Sequence, residues 1–221
     1  TKKFILYSQF AQLVGDGFDS TNENLGWGAV PIGMQYSFGP EKFKFMSKLE
    51  TRINSKHFMY GFWDQTYDLN RAQILTDTQI ITKRNALEQF GELKGLFFNT
   101  TLSMLNMLNF DISYQHMVGE VWNSELATFD EEEENKSFLA SIKINTSKVP
   151  KLKLAEIYYQ RNNDSDPFDF ENPTTNTIHG YNVGMELSKG VVLLYKGRTT
   201  YINDINNPGE VTPNFSLQVE T

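Results

Sequence analysis

Lys42–Arg52 reads KFKFMSKLETR, and its two faces decide the fold. Phe43, Phe45, Ser47, Leu49 and Thr51 fall on one side at period two, while Lys44, Met46, Lys48, Glu50 and Arg52 fall on the other. A helix, with its period of 3.6, cannot separate residues this way. The stretch therefore reads as a β-strand with one apolar and one charged face.

The same alternation recurs on both sides of it. Phe4–Leu13 reads as a first strand, and Gly26–Phe38 as a second with Val30, Ile32, Met34, Tyr36 and Phe38 together. Pro31 is unusual inside that second strand, since proline cannot donate to a ladder. His57–Trp63 reads as a short aromatic strand alternating Phe58, Tyr60 and Phe62. Further on come Lys94–Ser103, Leu108–Met117, Ser137–Thr146, Leu152–Gln160, Ile178–Ser188, Val191–Ile202 and Asn214–Thr221. The facing of Leu152–Gln160 is open, because Ala155, Ile157 and Tyr159 compete with Leu154, Glu156 and Tyr158 for the buried side. Asp64–Gly91 is the least regular region. There Ala72–Thr82 reads as a strand, and Asn85–Phe90 as helical.

Composition narrows the classes. The net charge of −7 and pI near 5.0 argue against a nucleic-acid binder, which shows a basic face. The chain has no cysteine, so disulfides and thiolate metal sites are excluded. A mean hydropathy of −0.44 looks water-soluble, and no apolar run approaches the ~18 residues of a spanning helix. A membrane β-barrel passes the same test, since only every second residue meets lipid. With neither initiator Met nor signal peptide, the 221 residues read as a mature chain or a fragment, forming a single β-barrel domain.

Alternation alone also fits a soluble sandwich or lipocalin-like barrel with its apolar face inward. Three features favour the opposite orientation. Connections alternate in length: Phe38–Glu41, Met104–Met107, Ser147–Lys151 and Ser188–Gly190 are tight. Val14–Leu25, Gly119–Lys136, Arg161–Asn176 and Asn203–Pro213 are long, as expected of a barrel with short turns at one membrane face and long loops at the other. Aromatics on the apolar face gather at strand ends, with Tyr114, Phe138, Tyr181, Tyr201 and Phe215 near long loops. Tyr36, Phe38, Phe43, Phe45 and Phe110 lie near short turns, and the two sets would form interfacial girdles. Well-defined strands also approach the ~9–11 residues that cross hydrocarbon at a tilt. If the short turns share one side, an even number of strands must separate Lys42–Arg52 from Lys94–Ser103. His57–Trp63 and Ala72–Thr82 supply two, with Asp64–Arg71 an inner turn and Lys83–Leu93 an outer loop, giving about twelve strands in all.

On these features the chain resembles a Gram-negative bacterial outer-membrane β-barrel, as a whole barrel or as the carboxy-terminal part of a larger one. The segment Tyr7–Asp16, the Gly26-Trp27-Gly28 opening and the Phe62–Ala72 run are similar to uncharacterised barrels of this sort. The final strand, Phe215-Ser216-Leu217-Gln218-Val219-Glu220-Thr221, departs from the pattern by lacking a closing aromatic. The resemblance implies an all-β, antiparallel up-and-down transmembrane barrel in the outer membrane, in contact with lipids and lipopolysaccharide.

The lumen-lining set expected from the polar faces is Lys44, Lys48, Glu50, Arg52, Asp111, Gln115, Lys143, Glu186, Lys196, Arg198, Gln218 and Glu220. The expected lipid-facing set is Phe43, Phe45, Leu49, Phe110, Ile112, Tyr114, Phe138, Ile142, Ile144, Val183, Leu193 and Leu217. His57, His116 and His179 sit in neither a Gly-x-Ser-x-Gly context nor a zinc spacing, so no enzyme, metal site or cofactor is expected. The acids Glu125, Asp130–Glu134, Asp164, Asp166, Asp169, Glu171, Asp204 and Glu210 cluster in long loops. They form a solvated rim, or bridge divalent cations to anionic lipopolysaccharide, or attract cations to a vestibule. Asn203–Glu210 is also faintly similar to an oxygen-rich calcium loop. The leading functional expectation is a channel or passive transport pore. A barrel with a filled lumen and a structural, secretion or assembly role is the alternative, and a soluble ligand-binding β-barrel the second alternative.

Overall fold

A computed structural model describes residues 2–15, 24–40, 42–63, 67, 71–76, 79–123, 125–144, 146, 149–204, 207 and 209–220, with side chains for all of these but 24, 72–76, 79–81 and 131–133. The strands in chain order are β1 (Lys2–Val14), β2 (Asn24–Phe38), β3 (Phe43–Asn54), β4 (Ala72–Thr76), β5 (Gln79–Thr82), β6 (Leu93–Met104) and β7 (Leu108–Asn123), then β8 (Thr128–Ile144), β9 (Leu152–Asp164), β10 (Thr177–Ser188), β11 (Val191–Asn203) and β12 (Val211–Glu220). Ten of them form one sheet in the order β1-β2-β3-β6-β7-β8-β9-β10-β11-β12, while β4 and β5 pair only with each other. Every pairing is antiparallel, so the architecture is all-β and up-and-down. Among the described residues β1 and β12 do not pair and form the two edges of the sheet.

The middle of the chain departs from the sequence expectation. β3 pairs directly with β6 from Phe43↔Met104 to Asn54↔Leu93, so no strand lies between them. Parity is still obeyed, because zero is even. His57–Trp63 is a series of turns: His57 and Gly61 have φ of 64° and 71°, which no extended strand accommodates. The aromatic alternation there is real, but it reflects rings turned into the molecule, with Phe58 and Phe62 both buried. Ala72–Thr82 is a small hairpin of two strands rather than one strand of the wall. The expected inner turn Asp64–Arg71 falls mostly outside the described residues. Lys83–Leu93 contains a helical turn at Lys83–Ala86, capped by Thr82 accepting from the Asn85 N–H, and a 3-10 turn at Leu87–Gln89.

The expected long loop Gly119–Lys136 is also corrected. β7 and β8 continue to Asn123 and from Thr128, with Asn123↔Thr128 still paired, so this region is a protruding hairpin and most of its acids ride on strands. At the opposite end the turns are short. In the Met104–Met107 turn, Met107 N–H donates to the Met104 carbonyl at 2.9 Å, and Leu105 and Asn106 are both left-handed at φ 55° and 54°. That is the type I′ geometry matching hairpin twist.

Pro31 is tolerated because the ladder is already broken around it. The β1 register shifts between Tyr7 and Gln9, and the β3 register shifts between Ala29 and Gly33. Thr51 Oγ1 fills the gap, accepting from the Ile32 N–H at 3.1 Å and donating to the Ile32 carbonyl at 3.2 Å.

The sheet is strongly curled. Phe58 lies against Gly28 on β2 so closely that a Cβ there would be 2.2 Å from its ring. Its neighbour Met59 accepts from Asn163 Nδ2 on β9 at 3.9 Å through sulfur. Five strand steps separate β2 from β9, about 24 Å on a flat sheet. Adjacent residues with Cα atoms about 3.8 Å apart touch both only if the two strands face each other across a concavity.

The concave face is the polar one. Leu49 is 39% exposed and Glu50, the next residue, is 3%. Register carries this inversion across the sheet: Glu50, Phe97, Gln115 and Ser137 form one inner row, and Leu49, Phe98, Tyr114 and Phe138 form the outer row beside it. Glu156, Gln160 and Arg198 are buried, whereas Phe4, Leu6, Leu96, Ile112, Ile157, Phe215 and Leu217 are exposed. Among the described residues the buried apolar side chains gather mostly towards the long-loop end, where Val30, Leu93 and Met117 are buried together with Phe58, Phe62 and Leu87 of the segment joining β3 to β6.

Candidate functional site

The inner face is organised around β3. Glu50 accepts from Tyr7 Oη at 2.7 Å, and its other oxygen accepts from Arg52 Nε at 2.9 Å and Nη2 at 2.7 Å. Lys48 Nζ stands 3.7 Å from the same carboxylate. Glu50 and Arg52 share a face because they are two apart on a strand. Arg52 also reaches across β6 to donate from Nη1 to Gln115 Oε1 at 2.6 Å on β7. Its guanidinium lies 3.6 Å from the Phe97 ring centroid and 4.6 Å from that of Tyr60. A guanidinium suits this position because it donates in its plane while its faces stack on rings. Tyr7 fits only because Gly33 lies opposite, where a Cβ would be 2.4 Å from the tyrosine ring.

Tyr60 locks the infolded segment above this cluster. Its hydroxyl lies 2.6 Å from the Ala29 carbonyl and 2.8 Å from that of Ile53, with its one proton shared between them, and burial pushes the phenol above its ordinary pKa. The base of the segment is fastened by Asn54 Nδ2 to the Gly91 carbonyl at 3.0 Å and by His57 N–H to the Phe90 carbonyl at 2.8 Å. Beneath lies a cavity of about 380 Å³, bounded by Arg52, Tyr60, Phe97, Ser113, Gln115 and Asn162 among others.

All twelve residues expected on the polar face share the inner side by register, yet they do not converge on one point. Asp111 accepts from Asn99 at 3.0 Å and Thr101 at 2.6 Å. Lys143 pairs with Glu156 at 2.9 Å, Lys196 with Glu220 at 2.8 Å, and Glu186 with Lys153 at 2.7 Å. Gln218 donates to Glu220 at 2.7 Å. Arg198 is buried and engaged, and Lys44 is exposed near the short-turn end. The residues expected on the apolar face all lie on the outer side. Phe97 stands on the inner side with Asn99, Thr101 and Ser103, opposite Leu96 and Phe98. Tyr7, Tyr60 and Glu156 are further inner residues that the polar pattern of the sequence does not single out, the two tyrosines because an aromatic ring gives no polar signal. Glu156 belongs to the strand whose facing was open, and the structure settles it: Tyr158 is buried, while Ile157 is 56% exposed.

Outside, the loop after β9 folds back over the sheet. Phe168 stacks within 5.4 Å of Tyr114 and 5.0 Å of Phe138, and Phe170 lies 5.2 Å from Tyr159. Arg161 anchors the loop, pairing with Asp164 at 2.9 Å and donating to the Asp169 carbonyl at 2.5 Å. The Asn172 side chain and backbone amide hold the Asp169 carboxyl below the usual carboxylate range. The Asn203–Glu210 loop lies partly outside the described residues. Where described, Asn207 Nδ2 donates to Asp204 at 3.3 Å.

The three histidines stand apart from one another: His57 Nδ1 is 2.9 Å from the Leu87 carbonyl, His116 lies between Tyr114 and Glu134, and His179 packs near Tyr201. Among the described residues no group of three or more His, Asp or Glu could hold a metal ion, and no helix is long and apolar enough to cross a membrane. No family model, curated protein or solved structure matches the chain. The class defined by fold and site is therefore an all-β, up-and-down antiparallel sheet with a polar, ion-paired concave face and an apolar convex one.

Proposed function

We propose that this chain is a transmembrane β-barrel of the Gram-negative outer membrane, acting as a narrow passive pore for small hydrophilic solutes. The observation that carries the reading is the inversion at Leu49 and Glu50, repeated along the registers on either side. In water, exposing a wall of Phe, Leu and Ile while burying Glu and Arg would forgo most of the hydrophobic driving force. In lipid the same arrangement is favourable, because the convex face meets hydrocarbon and each buried charge has a partner.

An unpaired strand edge is costly in lipid. β1 and β12 run antiparallel to each other and both have their terminal ends beside the short turns, so direct pairing closes a barrel of ten strands. Cysteines placed singly at Phe4 or Leu6 and at Phe215, Leu217 or Val219 test this closure. One combination should cross-link on oxidation in vesicles, and failure of every combination would mean that other strands intervene. The pore itself is tested in planar bilayers, where purified protein should give discrete conductance steps.

A second reading, a barrel with a filled lumen and a structural, secretion or assembly role, is favoured by the saturation of Glu50 and by the infolding of Phe58–Phe62. Bilayers that take up the protein and stay silent would favour it over the pore.

A further inference from the structure

We propose that the cavity under Tyr60 is a binding subsite for a neutral, polyhydroxylated solute of the carbohydrate class; this rests on the pore reading and names the solute. Its volume of about 380 Å³ falls within the range of roughly 300–1,000 Å³ typical of small-molecule sites.

The chemistry of the walls selects the ligand. Arg52 is the one charged side chain among the lining residues, and Glu50 takes up its charge through two hydrogen bonds. Phosphate or carboxylate would find no cation without its own carboxylate, and would have to displace Glu50 from a buried pair. A cation would find no free carboxylate in the lining. The remaining polar groups are neutral. Ser113 and Asn162 make no side-chain hydrogen bond to described protein atoms, and Gln115 keeps its amide N–H donors after accepting from Arg52. Ser137 accepts from the Asn163 N–H at 3.0 Å and keeps its own proton to donate.

Hydroxyls, amides and the two guanidinium N–H groups not used by Glu50 or Gln115 are the complement of a ligand that both donates and accepts at many points. Phe97, Tyr60 and Met59 supply apolar wall between these groups. An apolar solute would leave the amides unpaired, at a cost of desolvation. A sugar ring has hydroxyls around its rim and C–H groups on its faces, and so meets both parts of the wall. The curl of the sheet brings the subsite together, since its residues come from β3, β6, β7, β8 and β9 and from the infolded segment.

The test titrates maltotriose against the full chain in two ways: block of single-channel current in planar bilayers, and calorimetry in detergent micelles. Saturable binding with matching current block is expected, with sodium phosphate giving neither. The double variant Ser113→Ala/Asn162→Ala removes two hydrogen-bonding groups from the cavity wall and should bind about tenfold more weakly, with its folded β-signal by circular dichroism in micelles retained. Clear conductance steps without saccharide binding would overturn the proposal and leave the pore reading standing. Binding without conductance would support the subsite and overturn the pore reading. Phosphate binding in place of saccharide, or unchanged affinity in the double variant, would also overturn the proposal.

Discussion

The two faces of β3 occupy the same twelve residues and the same backbone, yet they behave as surfaces made for different surroundings. On the convex side Phe43 and Leu49 stand exposed and have hydrophobic neighbours in register. On the concave side Glu50 is buried and Arg52 half-buried within a network of named donors and acceptors. Alternation alone shows where two environments divide, while burial shows which face is turned inward. A soluble β-domain with this sequence pattern would have the opposite orientation.

The largest expected effect comes from breaking the inner face. Glu50→Ala strands Arg52 without its carboxylate and should destabilise the fold by about 3–5 kcal/mol. Glu50→Ala/Arg52→Ala should recover much of that loss, as measured by urea unfolding in detergent or vesicles. If the double variant is as unstable as the single, the pair is not the unit described.

The matching test on the outer face is Leu49→Lys, one residue away. Facing lipid, it should cost about 2–4 kcal/mol; facing water, a surface change should stay within about 0.5 kcal/mol. Smaller again is Gly28→Val, which places side-chain atoms where the Phe58 ring packs. Overpacking of about 1–3 kcal/mol should loosen the infolded segment. Limited proteolysis in vesicles should then cut between residues 57 and 63 faster than in the parent chain, with cleavage at the short turns unchanged.

The smallest effect concerns the loop over the outer aromatics. The Asp169 carboxyl is held below its ordinary pKa by Asn172, so its contribution to loop order is present above the unfolded carboxylate pKa. That contribution is lost as pH falls through the lower folded value. Hydrogen exchange at the Asn172 amide, which donates to Asp169 at 3.1 Å, should accelerate in that acidic window and not above it.

Much of the sheet was legible in the sequence because a sheet with one polar and one apolar face imposes a strict period of two. Lys42–Arg52, Lys94–Ser103 and Val191–Ile202 all emerge as strands with the expected partition of residues. The parts that were not legible fail for identifiable physical reasons. Phe58, Tyr60 and Phe62 alternate like a strand because the infolded segment also has an inside, although left-handed His57 and Gly61 break its extension. Ala72–Thr82 has strand composition but pairs only with itself. Gly119–Lys136 reads as loop because its acids suggest solvent, and a protruding hairpin satisfies that preference without giving up its ladder. The candidate subsite was hidden because Tyr60 and Phe97 look apolar by composition, while curl and register bring them beside Arg52, Ser113 and Gln115.

The absence of cysteine makes the most direct test straightforward. Single cysteines at Leu49, Ile112 and Leu217 on the convex face, and at Lys48, Ser113 and Ser216 on the concave face, can each carry a nitroxide label in refolded vesicles. Collision with oxygen, which concentrates in hydrocarbon, and with a water-soluble nickel chelate then reports the surroundings of each site. High oxygen and low nickel access are expected at the first three positions, and low oxygen access at the second three. Nickel access at Leu49, Ile112 and Leu217 equal to that of an exposed loop would contradict the membrane reading, as would a monodisperse folded chain in plain buffer.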